Sequence, residues 1–287
     1  MNSDALPVLW GADGRQMAYR RLGHGPPVVC LAGGPGANAE YLEDLGGLSR
    51  GYELVVPDAR GTGGSAPPEK AAGYWFDELA KDVEALREHL GLEKMTMLAH
   101  SAACTTALVY AATHPDRLQA FVMVAPNRWL YDEIEDDTRR ILNNRSAEPW
   151  YPTVMSAQRR LDNGPDPDEI PGLLGAIAPA LYAQWGEREQ AHAATMKPAN
   201  MDASRLFWQA EVHGREVRAR LELVEAPVLV ITGELDAATG VNPGNAWAAC
   251  FPDGRHVNIE GSGHHPWVDK PETFANLVSD FLSVGHG

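Results

Sequence analysis

Positive charge is scarce in this chain. Its 287 residues hold 24 Lys and Arg against 39 Asp and Glu, a formal net charge of −15 at pH 7. No run of Lys or Arg interrupts that excess, so a phosphate backbone would be repelled and no nucleic-acid partner is expected. Long apolar runs are missing too. No stretch approaches the ~20 apolar residues that span a bilayer, and no membrane association is expected. The first residues carry no basic stretch followed by an apolar one, so no signal peptide is expected. Cysteine is rare and odd in number, at Cys30, Cys104 and Cys250. Two of the three lie in apolar runs, which fits reduced thiols in a cytoplasmic protein better than a disulfide framework. Spacings such as His-Glu-x-x-His or paired Cys-x-x-Cys do not occur, so neither a metal nor an organic cofactor is expected.

What is present is ordinary globular material, 44% hydrophobic and 22% charged, enough for a sizeable core. Short apolar runs at 27–32, 54–57, 95–99, 120–125 and 227–232 read as strands. Their hydrophobicity is continuous, not alternating, as a sheet covered on both faces requires. Between them Phe76, Leu79, Ala80, Val83, Leu86 and Leu90 mark one face of a helix. Strand–helix alternation implies parallel pairing by right-handed crossovers. Residues 17–22 read as an antiparallel strand ahead of the parallel set, 256–260 as the last strand and 272–282 as a closing helix.

Alternation breaks over 127–222. That stretch is polar and helical, and it is read as a cap inserted between a first core part, 1–126, and a second, 223–287. Its aromatic residues either pack the insertion's own small core or line a pocket. Trp150, Tyr182, Trp185 and Trp208 are the aromatic pocket candidates, and Glu187 is a candidate carboxylate beside Trp185.

Four motifs carry chemistry. In Leu98-Ala99-His100-Ser101-Ala102-Ala103 a strand runs into a helix with a serine at the corner and small neighbours, the arrangement of a strained nucleophile turn. Alone, it suits a helix N-cap as well. Ala32-Gly33-Gly34-Pro35-Gly36 follows a strand and could aim backbone N–H groups at an oxyanion, or be merely a tight turn. Asp236 follows the 227–232 run, and His264 closes Gly261-Ser262-Gly263-His264 after the last strand. The order is Ser, Asp, His, separated by 135 and then 28 residues. Each motif sits just past a strand, where open α/β sheets gather their catalytic groups, and this joint placement favours a triad. Ser101 is then the nucleophile, His264 the base, Asp236 its orienter, and the N–H groups of Gly34 and Ala102 the oxyanion donors.

With these motifs the chain resembles the α/β-hydrolase fold superfamily, and within it the proline iminopeptidase-like (prolyl aminopeptidase) branch. Gly33-Gly34-Pro35-Gly36 and Asp58-Ala59-Arg60-Gly61-Thr62-Gly63-Gly64-Ser65 carry the narrower likeness. The resemblance implies an α/β fold, a mostly parallel sheet covered by helices on both faces, with a helical cap after the sixth strand. Three features depart from the branch. Ala32 stands where a histidine usually opens the glycine box, Ala99 and Ala103 replace the elbow glycines, and the cap carboxylates that hold an amino terminus cannot be aligned. Glu187, Glu189 and Glu211 are the candidates for that role. The expected function is a serine hydrolase acting on an ester, lactone or amide bond of a mid-sized apolar small molecule. A proline iminopeptidase-type aminopeptidase taking a short peptide is an alternative, to which the acidic surface lends slight support. A silent or non-hydrolytic relative, such as a lyase, cyclase or binding protein, is a second alternative.

Overall fold

The computed structural model describes residues 6–196, 200–211 and 213–284. Its centre is one eight-stranded sheet: β1 (Val8–Trp10), β2 (Gln16–Leu22), β3 (Pro27–Leu31), β4 (Glu53–Pro57), β5 (Met95–His100), β6 (Leu118–Val124), β7 (Val228–Gly233) and β8 (Gly254–Ile259). Across the sheet the order is β1-β2-β4-β3-β5-β6-β7-β8. Pairing is antiparallel between β1 and β2 and between β2 and β4, and parallel from β4 onward. This is the expected α/β class. Strand β1, absent from the sequence reading, is a three-residue edge strand in which only Leu9 is buried, too short to show a period.

Alternate residues of each inner strand feed two cores, because successive side chains point to opposite faces. Val29, Leu31, Met97, Phe121, Met123, Val228 and Val230 join one cluster, which packs against α1 (Phe76–His89) and α2 (Ala103–Thr113). Val28, Cys30, Leu98, Val122, Val124, Leu229 and Ile231 join the other. Between β6 and β7 run α3 (Thr138–Asn144), α4 (Tyr151–Asp162), α5 (Ile170–Ile177), α6 (Glu187–Thr195), α7 (Met201–Phe207) and α8 (Gly214–Leu221). After β7 come α9 (Asn242–Ala248), α10 (Pro266–Asp269) and α11 (Pro271–Val284), the last two packed on the second core. Among the described residues no helix is long and apolar enough to cross a membrane.

Beside the carboxyl end of β4, the loop from Asp58 to Ser65 is held by buried charge. Arg60, 3% exposed, forms a two-pronged ion pair with Asp82 of α1, with N–O distances of 2.6 and 2.8 Å, and donates to the Gly73 carbonyl. Asp58, fully buried, accepts from Arg20 at 2.7 Å and from the Gly64 N–H at 2.9 Å. Removing one partner of such a pair leaves the other uncompensated in a dry interior, typically at a cost of about 3–5 kcal/mol. Arg60→Ala is therefore expected to lower unfolding free energy by about that much in urea titration. A change under about 1 kcal/mol, the value of an exposed pair, would show that the pair is solvated.

Candidate active site

Because β3, β5, β7 and β8 are parallel, the residues that follow them meet at one edge of the sheet. The β4–β3–β5 order means the chain leaves β3 to one side and returns to β5 on the other, a switch in direction that opens a crevice. Two loops flank it, residues 33–36 after β3 and Ser101 after β5. Register brings them together, since Leu31 pairs with Ala99.

Ser101 lies at φ +54°, in the left-handed region that a residue with a side chain avoids. Its N–H donates to the Val124 carbonyl of β6 at 2.9 Å, which fixes the turn. Gly33 passes so close that an added Cβ would lie 2.4 Å from the His100 carbonyl oxygen and 2.9 Å from the Ser101 Cβ, so only glycine fits. The elbow alanines are accommodated, with Ala99 and Ala103 both buried in the first core.

The side chains of Ser101, His264 and Asp236 form one line. His264 Nε2 is 2.9 Å from Ser101 Oγ, and His264 Nδ1 is 2.9 Å from Asp236 Oδ2. His264 is 5% exposed and Asp236 fully buried. Burial alone would raise the Asp236 carboxyl, but His264 and the donors of Thr239 outweigh it and hold it below the ordinary carboxylate value. Asp236 Oδ1 accepts the N–H groups of Ala238 and Thr239, and Oδ2 accepts the Thr239 hydroxyl. Leu235 N–H donates to the Ser262 carbonyl at 2.8 Å, which ties the turns after β7 and β8 together.

His265, adjacent to His264, points elsewhere. It is fully buried, stacks on Tyr182 at 4.9 Å, and neither of its ring nitrogens has a hydrogen-bond partner among the described residues. Burial drives its pKa well below the ordinary imidazole value, so the ring is neutral. Ring nitrogens of His100, His264 and His265 lie within 4.8 Å of one another. Those of His264 already face Ser101 and Asp236, and those of His100 are engaged as described next, so of the three only His265 has unengaged ring nitrogens among the described residues.

Three residues that the motifs did not single out as positioning groups join these loops. Gly33 N–H donates to the Tyr41 hydroxyl at 2.6 Å. The Tyr41 hydroxyl lies 2.8 Å from His100 Nδ1, and His100 Nε2 lies 3.0 Å from the His264 carbonyl oxygen. A carbonyl can only accept, so Nε2 carries the proton and Nδ1 accepts from Tyr41. Burial, with His264 nearby, keeps His100 neutral, which this chain of bonds requires. Asp269 accepts from Gly263 and Ala183, which joins the His264 loop to the insertion, and burial raises its carboxyl to about 6. Position 100 was visible within the serine motif. Tyr41 and Asp269 had no local signature.

Gly34 N–H and Ala102 N–H have no protein acceptor among the described residues. Both residues line a cleft of about 80 Å³ on the α1–α2 side. The pocket candidates lie elsewhere. Tyr182 is fully buried, its hydroxyl 2.7 Å from His192 Nδ1, and Trp185 packs beside it. Trp150 carries the Arg145 guanidinium on its face and packs with Leu142, Val154 and Ala180. Glu187 is exposed in the first turn of α6, while Glu189 caps the same helix through the Gly186 N–H. Trp208 meets Trp129 edge-on, one residue from Phe207, which does line the cleft.

The family model described as alpha/beta hydrolase fold matches residues 26–271. The chain belongs to that family. Its likeness extends over nearly the whole length of individual relatives. It is 26% identical over 269 residues to RutD of Pseudomonas savastanoi pv. phaseolicola, provisionally named a carbamate hydrolase, covering 90% of this chain and 94% of the relative. It is 24% identical to a proline iminopeptidase of Heyndrickxia coagulans, covering 91% and 92%. Among solved structures, the esterase RhEst1 from Rhodococcus sp. superposes with a TM-score of 0.75 at 23% identity, over 97% of this chain and 98% of that one. The chain is an α/β-hydrolase enzyme.

Tyr41→Phe is expected to strand the buried Gly33 N–H and His100 Nδ1 and to cost about 1–3 kcal/mol of stability. Chemical denaturation reads this directly. A loss below about 0.5 kcal/mol, the level of an ordinary surface change, would mean that the hydroxyl holds neither group.

Proposed function

We propose that this chain is a serine hydrolase working by acyl transfer on an ester, lactone or amide bond of a mid-sized apolar small molecule. The Asp236–His264–Ser101 line carries this reading, because it supplies a nucleophile, a base within hydrogen-bond reach and a buried carboxylate to orient the base. Ser101 Oγ attacks the carbonyl carbon while His264 Nε2 takes its proton. Asp236 keeps the proton of Nδ1 in place and stabilises the imidazolium that forms. The N–H groups of Gly34 and Ala102 receive the oxyanion, a term on the order of 2.7–4 kcal/mol per donor. Their lack of acceptors among the described residues supports this role, as does the engagement of Gly33 N–H by Tyr41, which removes it from the count. His264 then protonates the leaving group, and water, activated by the same base, releases the acyl group from Ser101. Residues 127–222 act as the cap, held to the His264 loop by the His264 N–H bond to the Leu181 carbonyl at 2.7 Å.

An aminopeptidase remains the second reading, favoured by the iminopeptidase relative. It needs a free carboxylate near the serine for the substrate ammonium. Glu189 is spent on its own helix, while Glu187 and Glu211 are exposed.

A fluorophosphonate probe should label Ser101 in the folded protein, and Ser101→Ala should abolish both labelling and turnover of a short-chain acyl ester. Asp236→Asn should lower kcat by about 10⁴, the effect of a wrong imidazole tautomer. Undiminished turnover in Ser101→Ala would overturn the assignment. Prolyl arylamide cleavage preferred over the ester would make the aminopeptidase reading the correct one.

A further inference from the structure

The cleft beside the oxyanion donors has a composition that selects a substrate, and this inference rests on the serine hydrolase reading. Gly34 and Ala102 form part of its wall, whereas Ser101 and His264 do not. Around a tetrahedral carbon bonded to Ser101 Oγ, one substituent is the oxyanion and another is the leaving group, which must face His264 to be protonated. The remaining substituent, the acyl chain, is directed away from His264. The cleft opens on that side, past the oxyanion donors and toward α1, α2 and α7.

Its walls are mostly apolar, with Leu79, Val83, Leu86 and Phe207 among them. Charged groups do reach it, but they are matched. Asp58 is paired with Arg20 at 2.7 Å and Asp82 with Arg60 at 2.6 Å, leaving no carboxylate free for an ammonium. Its volume of about 80 Å³, several times the ~10–15 Å³ that a single water requires, suits a short acyl chain or a small ring. The geometry points to a substrate whose acyl group is short, uncharged and apolar, with Phe207 setting its maximum length. Phe207 is well placed to do so. It is 4% exposed, is braced edge-on by Phe76 at 5.4 Å, and ends helix α7. That helix is tied to the oxyanion loop, because Asn200 N–H donates to the Gly36 carbonyl at 2.8 Å and an added Cβ on Gly36 (φ +80°) would lie 2.0 Å from the Asn200 carbonyl oxygen.

The test compares kcat/KM over the 4-nitrophenyl esters of acetate, butyrate and octanoate, and over the phenyl esters of cyclopentanecarboxylic acid and proline. The last two acyl groups share a shape and differ by the ammonium. Fluorophosphonate labelling of Ser101 runs in parallel. The expected result is a preference of about tenfold or more for the better of acetate and butyrate over octanoate, and for the cyclopentane ester over the prolyl one, the scale on which a pocket discriminates by one or two groups. Phe207→Ala, checked for folding by circular dichroism, should narrow the octanoate gap at least severalfold. Cyclopentanecarboxamide should protect the wild type from labelling more strongly than prolinamide, independently of turnover. Labelled Ser101 with equal rates across chain lengths, or with prolyl preferred, overturns the inference and leaves the hydrolase reading standing. So does an unchanged preference in folded Phe207→Ala, or labelling with none of the esters cleaved. Absence of both labelling and turnover removes the hydrolase reading, and this inference with it.

Discussion

A left-handed serine at the end of the central strand is the constraint on which the site depends. Holding Ser101 at φ +54° costs on the order of 1–3 kcal/mol, and the cost is sustained only where the surroundings over-determine the turn. Here β5 is paired on both sides, its last residue opposite Val124, and Val124 also accepts the Ser101 N–H. The turn lifts the serine out of the sheet and starts α2 immediately, which leaves the Ala102 N–H without an acceptor among the described residues. It also forces the β3 loop within touching distance, so that position 33 must lack a Cβ. Three features of the site therefore follow from one backbone conformation: the raised hydroxyl, the open N–H and the glycine beside it.

The strained turn alone would not place an imidazole. His264 follows a strand three positions away in the sheet, and its loop is aligned by groups that are fully buried and uncharged. The sequence Gly33 N–H, Tyr41 hydroxyl, His100, His264 carbonyl has a fixed direction of donation, and it works only if His100 stays neutral. Burial enforces that, since desolvation disfavours the imidazolium. The charge that touches the His264 ring is that of Asp236, whose four donors offset its desolvation. The His264 imidazole thus meets one carboxylate directly, that of Asp236, among neutral rings, and a proton arriving on His264 is stabilised by the anion bonded to its Nδ1.

How much of this was legible in the sequence differs by element. The parallel strands were, because a strand buried on both faces is continuously apolar, and the four motifs were, because each follows a strand directly. Edge strand β1 was not, since three residues with one buried side chain carry no period. The positions of Ser101, His264 and Asp236 could be read by chain order, whereas Tyr41 and Asp269 act through contacts 59 and 86 residues away that leave no local pattern. The aromatic residues of the insertion show a similar limit. Trp150, Tyr182 and Trp185 stand out by size and polar tips, but the same properties suit them to packing the insertion against itself and the second core. Phe207, beside Trp208, lines the cleft because α7 is anchored through Asn200 to the Gly36 loop, a contact made across more than 160 residues.

Net charge invites a different substrate from the one the cleft favours. A chain at −15 draws cations toward its surface, which on composition alone would suit a free amino terminus. That attraction is long-ranged and screened over about 8 Å at physiological ionic strength, so it affects encounter more than fit. Inside the cleft the balance is local. Both carboxylates that reach it face guanidinium groups at 2.6–2.7 Å, and their other oxygens accept further donors. An ammonium entering there would lose its water and find no unpaired anion, a penalty that attraction at the surface cannot offset. On the proposed reading, selection between a cationic and a neutral acyl group rests on how Asp58 and Asp82 are already paired, and those pairs belong to the fold of the β4 loop before any substrate arrives.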